Sequence, residues 1–458
     1  MKKKCVVIGA GLSGTLIANR LSEHCDVSIV ERGPSRSIEY PNVVYDQREL
    51  AHIKTFCYGK GGTTNLWHNG LIPISPNDVH EPTNALLLDA SAKYRNDAAH
   101  ALHFEGNDFD EQYELQNRVA AELAENFCKA SDGVDTLIYP KRVGRLALSP
   151  DVSGVYDVTD LAVTSNGNRI QDVAVSTPTG SVRLPCDELI ISAGSLGTPI
   201  VLNKVLGEMP VNHTADGHGL IDHPMGFVGK VRFPRSLKSD VSQFSLASRG
   251  TYHTRSLLRL KSECGHYTGC IFLRPAFTME NSLESHIYKS QLGASSGLER
   301  LKNAMSKRLF HPDVLAEAFT RLSGFSPPTQ IYSVLFLGEQ RNSRNAVYAK
   351  DEQLHVDWQV HADEIEIYSN MLEKFRSMIQ DFAEDISLTP ELTQNWLWSG
   401  AHHSGTTHCV DENLLVDGTE NLYVCDASVI HEHSYANTGL TIGSLAFRLC
   451  EHIAGRLH

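Results

Sequence analysis

Cys5-Val6-Val7-Ile8-Gly9-Ala10-Gly11-Leu12-Ser13-Gly14 runs four apolar residues straight into a glycine-spaced turn. A short apolar run closed by glycine reads as a buried strand, and the stretch after it, through Leu21, reads as a helix. A second strand, residues 27–30, ends at Glu31. The glycines of such a turn allow a sharp bend and close backbone approach to a pyrophosphate. The helix that follows offers its N-terminal amides to the phosphate charge. A carboxylate at the end of the second strand accepts hydrogen bonds from a ribose diol. Strand, glycines, helix, strand and acid occur in order, so residues 5–31 read as a dinucleotide-binding βαβ unit. NAD and FAD satisfy the pattern equally, whereas Glu31 would repel the 2′-phosphate of NADP.

Working outward, the chain has 458 residues, room for two or three domains' worth of core. Its apolar (41%) and charged (21%) fractions are those of an ordinary globular protein. The net charge of −13 argues against nucleic acid as a partner, since no basic excess exists to displace counterions. The apolar stretch behind Lys2-Lys3-Lys4 is too short for a signal peptide. No run approaches the ~18 apolar residues of a transmembrane segment. A cytoplasmic protein is expected. The ten cysteines show no CxxC spacing, so they read as free thiols, without haem or iron–sulfur attachment.

Several later segments matter. Gly61-Gly62-Thr63-Thr64-Asn65 is a turn able to bring amides and hydroxyls to a ligand. Residues 110–130 read as a helix, with Leu115, Val119, Leu123 and Phe127 as its apolar stripe. Residues 141–193 are strand-like, with turns at Asn166-Gly167 and Thr179-Gly180. Leu189-Ile190-Ile191 then repeats the strand-into-glycine theme up to Gly197. Residues 227–290 and 331–360 read as strands. Residues 297–322 and 363–383 read as helices, the first broken or kinked by Pro312. The basic residues of the 297–322 helix read as a solvated face. A closing helix spans about 439–454.

The C-terminal block is the second rich stretch. Ala401-His402-His403-Ser404-Gly405-Thr406 sets imidazoles beside a glycine turn. A strand at 421–425 ends in Asp426-Ala427-Ser428, and Asn437-Thr438-Gly439 opens the last helix. A helix N-terminus favours negative charge developing nearby, as on a reduced flavin. His431-Glu432-His433 reads as a hydrogen-bonding or entrance segment rather than a metal pair, and no metal is expected.

In seven blocks the chain resembles the glucose–methanol–choline (GMC) family of flavoprotein oxidoreductases. They are residues 9–31, 61–65, 193–199, Gly219-Leu220-Ile221-Asp222-His223-Pro224, 339–347, 402–406 and 421–437. The resemblance implies an α/β chain, α+β overall. A discontinuous Rossmann-like FAD-binding domain (1–80, 140–229 and 396–458) would carry a connecting helical segment (81–139). The substrate domain (230–395) would be an antiparallel sheet backed by helices. It implies FAD, with Gly9, Gly11 and Gly14 at the pyrophosphate and Glu31 at the adenosine ribose. Gly62, Thr63 and Asn65 would lie along the diphosphate and flavin, with Asp426, Ala427 and Thr438 toward the flavin end. Asn65 stands where some members carry a histidine that bonds flavin covalently, so non-covalent FAD is expected. His408-Cys409 replaces the family's Arg-Met.

The implied reaction oxidises a small-molecule alcohol, passing electrons on to an external acceptor, oxygen or another. His402 is the general base during hydride transfer to flavin N5, and Asn437 holds the substrate oxygen. His403 competes for the base role because one step of misalignment exchanges the two. His223 reads as part of a turn organising the domain junction. A hydroxylated substrate such as a sugar or a biosynthetic intermediate is expected. The alternatives are a lyase on the same flavin scaffold, an NAD-dependent dehydrogenase, and an FAD-binding protein without catalysis.

Overall fold

The four apolar residues ahead of the glycine turn form the strand Lys4–Ile8, buried from Cys5 onward. Side chains enclosed on both faces suit the middle of a parallel sheet. Lys4–Ile8 pairs in parallel with Asp26–Val30 on one side and Glu188–Ile191 on the other. The sheet is completed by Ser153–Val155 beyond Asp26–Val30 and by Leu422–Val424 beyond Glu188–Ile191, again parallel. Its five strands thus come from the start, the middle and the end of the sequence. The last helix, Gly439–Arg456, lies against Leu12–Leu21, so both chain ends also meet in the helical layer. The computed structural model of the protein describes residues 2–47, 55–67, 69–141, 146–211, 214–281, 312–323, 326–341 and 344–456.

The second layer is an eight-stranded antiparallel sheet. Tyr252–Lys261, Thr268–Ala276, Ile331–Gly338 and Pro224–Arg232 form its centre. Val134–Pro140 pairs with Tyr252–Lys261, and Trp398–Ser399 with Pro224–Arg232. One face is covered by the helix Ala362–Ile379, whose Tyr368, Met371, Leu372, Phe375 and Ile379 recur at helical spacing and are buried. The other face looks toward the parallel sheet. Strand alternation aims Leu137 and Tyr139, Met225 and Phe227, Phe272 and Arg274, and Leu335 and Leu337 into the space between. The 141–193 region includes an antiparallel meander, Asp160–Asn166, Arg169–Thr177 and Gly180–Pro185, turning at the expected glycines.

Two local readings differ from the structure. The helix Phe109–Glu125 buries Phe109, Gln116, Ala120 and Ala124; of the expected stripe, Leu115 is exposed, while Leu123 packs on the core and Phe127, just past the helix, is buried. Small residues face the sheet because the helix packs closely on Val134–Pro140, which the leucine stripe would prevent. Within the strand-rich 227–290 region, Lys238–Ser245 is a helix that buries Val241 and Phe244. Pro312 is the first residue of the helix Pro312–Ser323, as suits a first-turn proline. Asp313 pairs there with the buried Lys230. Residues 297–311 of the expected helix, with Arg300, Lys302, Lys307 and Arg308, lie outside the described residues. All ten cysteines are free, and only Cys264 is exposed. Among the described residues, no helix is long and apolar enough to cross a membrane.

The opening glycines have separable tasks. A Cβ on Gly14 would sit 1.9 Å from the Gly9 carbonyl oxygen, so Gly14 lets the helix lie on the strand. A Cβ on Gly11 would meet nothing within 4 Å. Gly14→Ala should therefore cost about 1–3 kcal/mol of stability, whereas Gly11→Ala should fold as the parent does. Urea denaturation of the two variants without cofactor checks this, and equal midpoints would contradict it.

Candidate active site

Between the two sheets lies a cavity of about 1370 Å³. Three helices begin on its wall: Leu12–Leu21 after Gly11, Gly194–Gly207 after Ala193, and Gly439–Arg456 after Asn437 and Thr438. The first amides of a helix lack internal partners and carry its positive dipole end, so this wall favours an anionic ligand. The 193–197 turn, by itself ambiguous in the sequence, is thus one of the three.

Glu31 is buried at the end of its strand and lines the cavity. Its Oε2 accepts from Ala10 N (2.7 Å), and its Oε1 from Gly33 N and Gly59 N (both 2.9 Å). The carboxylate therefore ties the glycine turn to residues 33 and 59. Gly9, Gly11, Gly62 and Thr63 also line the cavity, and Gly61 N donates to Ala10 O at 2.8 Å, docking the second turn on the first. Gly14 and Asn65 do not reach the wall. Gly14 is packed beneath Gly9, and Asn65 Nδ2 folds back onto Gly62 O at 2.7 Å.

At the other end, Asp426, Ala427, Asn437 and Thr438 line the cavity with His402 and His403. Asp426 accepts from Gly194 N (2.9 Å), Thr198 Oγ1 (2.5 Å) and Ser428 N (2.8 Å), which locks two helix-start turns together. Burial raises its carboxyl pKa, against these donors. Asn437 Nδ2 donates to Gly70 O at 3.3 Å.

The two candidate bases differ in their surroundings. His402 is partly exposed to the cavity, and its Nδ1 lies 2.9 Å from His223 Nδ1. His403 is 8% exposed, and its Nε2 lies 3.6 Å from Asp222 Oδ2. Asp222 is fully buried and organises both: its Oδ1 accepts from His223 N (2.7 Å) and His402 N (2.8 Å), and its Oδ2 accepts from Ser399 Oγ. Burial lowers the pKa of His402, with Asp222 acting in the opposite direction. Burial also lowers His403 and takes His223 well below the usual imidazole range. His223, read from sequence only as a turn residue, lies behind the cavity wall and contacts His402 from there.

His431 and His433 serve different neighbours. His431 Nε2 meets Thr407 O at 2.8 Å, and its ring stacks on His408 at 4.4 Å. His433 is fully buried and its Nδ1 meets Ser434 O at 3.1 Å. Among the described residues, no three His, Cys, Asp or Glu side chains converge as metal ligands. Sequence reading also missed Tyr139, Arg255, Phe272, Arg274 and Trp398 on the cavity wall. Strand alternation is the signal that could have found most of them.

Residues 342–446 match the family model described as GMC oxidoreductase. No curated protein matches the sequence. Solved structures match over the full length. Pyridoxine 4-oxidase from Mesorbium loti superposes with a TM-score of 0.56 at 14% identity, covering 98% of this chain and 99% of that one. A formate oxidase variant from Aspergillus oryzae RIB40 gives 0.57 at 14%, covering 100% of both. An FAD-dependent oxidoreductase from Chaetomium thermophilum gives 0.58 at 15%, covering 99% of both. At these identities the structural likeness speaks for the fold. The family match covers the C-terminal part of the chain, and the structural likeness extends the shared fold over its whole length.

The buried imidazoles set a pH dependence. Burial lowers His433 from 6.5 to about 4, so between those values the unfolded chain holds a proton that the folded chain lacks. This contribution to stability is present above pH 6.5 and lost as the pH falls toward 4. Glu339 and Glu364, raised by burial to about 7, act in the opposite sense between 4.5 and 7. His433→Gln should lessen the acid loss by up to about 1.4 kcal/mol per pH unit. Chemical denaturation at several pH values from 6.5 down to 4.5 measures this, and identical slopes would contradict it.

Proposed function

We propose that this protein oxidises an alcohol carbon of a small molecule to a carbonyl, with His402 as the base and Asn437 as the group that orients the substrate oxygen. The observation that carries this reading is that both side chains lie on the wall of the same cavity as the glycine turn and Glu31.

The residues fit FAD. Open space at the Cβ position of Gly11, beside three helix starts, leaves room for a pyrophosphate against backbone amides. Glu31 would face the adenosine ribose. Gly9, Gly11, Gly62 and Thr63 would hold the diphosphate, while Asp426, Ala427 and Thr438 would hold the flavin end. Asn65 at the Gly-Gly turn offers no nucleophile for attachment, which favours non-covalent binding. When bound, FAD supplies the two-electron oxidant for the substrate carbon.

His402 takes the hydroxyl proton. Its imidazole is neutral because burial holds the pKa down, so a lone pair is ready at neutral pH. Asn437 is tethered through Nδ2 to Gly70 O, and the remaining amide hydrogen is available to the substrate oxygen. The wall from the antiparallel sheet excludes water with Leu137, Met225, Phe227, Phe272, Leu335 and Leu337, interrupted by Tyr139, Arg255 and Arg274. A wall this apolar favours a hydroxyl on a largely apolar or aromatic body over an unadorned sugar.

The test is anaerobic titration of the purified protein with a panel of alcohols, followed by loss of the oxidised flavin absorbance. One class of alcohol should bleach the wild type. His402→Ala should slow bleaching by about 10²–10⁴-fold, with flavin content unchanged. Asn437→Ala should slow it by a smaller factor. A His402→Ala protein that bleaches at the wild-type rate would remove His402 from the base role. Turnover with the flavin oxidised throughout would replace oxidation by lyase chemistry.

A further inference from the structure

The cavity presents His402, but an imidazole is a base only at the nitrogen that carries no proton. Which nitrogen that is depends on a chain of contacts running away from the cavity. His402 Nδ1 is 2.9 Å from His223 Nδ1, and His223 Nε2 is 2.8 Å from Ser434 O. A carbonyl oxygen only accepts, so His223 Nε2 carries the hydrogen of that contact. The fully buried His223 is neutral and has only one ring hydrogen. Its Nδ1 is therefore an acceptor, and His402 Nδ1 must donate to it. The opposite tautomer would set two lone pairs against each other at hydrogen-bond distance.

From this geometry we infer that His223 is a positioning residue: it fixes the tautomer of His402 so that the lone pair sits on Nε2, the nitrogen left for the cavity. The inference rests on the reading of His402 as the base. His223 itself touches neither substrate nor cofactor.

The anchor of the chain is rigid. Ser434 O also accepts from His433 Nδ1 at 3.1 Å, which uses both of its lone pairs and leaves His223 no alternative orientation there. Ser434 sits at φ +56°, a conformation a serine adopts at a cost, and it is clamped from behind. Its N–H donates to Glu339 Oε1 at 3.0 Å, and its Oγ contacts Thr268 Oγ1 at 2.9 Å and Asp78 Oδ2 at 3.3 Å. The His223 ring is fixed by His433 (ring centres 4.1 Å apart), and its backbone N–H by Asp222 Oδ1. Gly400 is tied to His223 O at 2.9 Å, and a Cβ there would crowd that same oxygen at 3.0 Å. The charged and titratable groups facing the imidazole pair are Asp222, His403 and His433. Asp222 meets His402 through the backbone N–H, so its carboxylate does not decide the ring tautomer.

The wrong tautomer disables a base that is otherwise well placed. His223→Leu removes the acceptor and frees His402 to carry its hydrogen on Nε2. His223→Asn keeps an oxygen acceptor close to the former Nδ1 position. The direct readout is the ring-nitrogen spectrum of [15N]histidine-labelled protein, with His402 assigned by its absence from the His402→Ala spectrum. The wild type should show a protonated Nδ1 and an unprotonated Nε2. His223→Leu should show the Nε2–H form or a mixture. Kinetically, kcat should fall about 10- to 100-fold in His223→Leu, with KM and flavin content little changed. The acid limb of its kcat profile should move to lower pH, because the imidazolium loses an acceptor. His223→Asn should recover much of the rate.

A wild-type spectrum with the hydrogen on Nε2 overturns the inference, and so does a His223→Leu protein with wild-type kcat and an unchanged His402 tautomer. If His402→Ala keeps its activity, the base reading itself fails, a separate result. If His223→Leu does not fold, the wild-type spectrum and His223→Asn decide the matter.

Discussion

The structure depends on two close backbone contacts that meet at Gly9. The Cβ that Gly9 lacks would lie 2.3 Å from Ser192 O, and the one Gly14 lacks would lie 1.9 Å from Gly9 O. Only glycine lets the first strand, its helix and the turn after Glu188–Ile191 approach this closely. That approach brings the starts of Leu12–Leu21 and Gly194–Gly207 to the same cavity. Ser192 Oγ then donates to Cys425 O at 2.9 Å, so the strand from the far end of the chain is fastened to the same point. Side chains more than 400 positions apart can share one wall because the sheet places the segments carrying them side by side.

The end of the cavity that carries His402 and Asn437 is built on a different principle. There a buried polar network replaces apolar packing. Asp222, Glu339 and Asp78 each accept several hydrogen bonds or ion pairs, from partners that include Arg259, Lys261 and Arg341. Buried charges persist only when partnered in this way, and a fully partnered network holds its members to one arrangement. The benefit is positional: the turn from 399 to 403 and the 433–437 segment are held by side chains from both sheets' neighbourhoods. The imidazole of His402 and the amide of Asn437, separated by 35 positions, are thereby held on one cavity wall.

Much of this was legible in the sequence. The strand, glycines and Glu31 could be read because cofactor binding constrains residue type at fixed spacing. The C-terminal block could be read because turns and helix starts use a small set of residues. Gly14 could not be separated from Gly11 by pattern, since one glycine meets backbone and the other open space. Leu115 misled because helical periodicity names a stripe, and a neighbouring stripe of alanines suits a close helix–sheet contact. His223 was invisible as a site residue: its partner lies 179 positions away, and only the tertiary fold sets the two rings together. Arg255 and Arg274 stand in strands whose in–out alternation is readable, but which face would meet a cavity depends on the second sheet.

The proposed site would hold a single FAD molecule along its length, between segments from both ends of the chain. Hydrogen exchange of the apoprotein against the FAD-loaded protein tests this directly. The account predicts that FAD slows exchange together at residues 9–14, 193–197 and 437–441, with the protection spanning both termini. Protection confined to the first βαβ unit, with exchange at 437–441 unchanged, would contradict it.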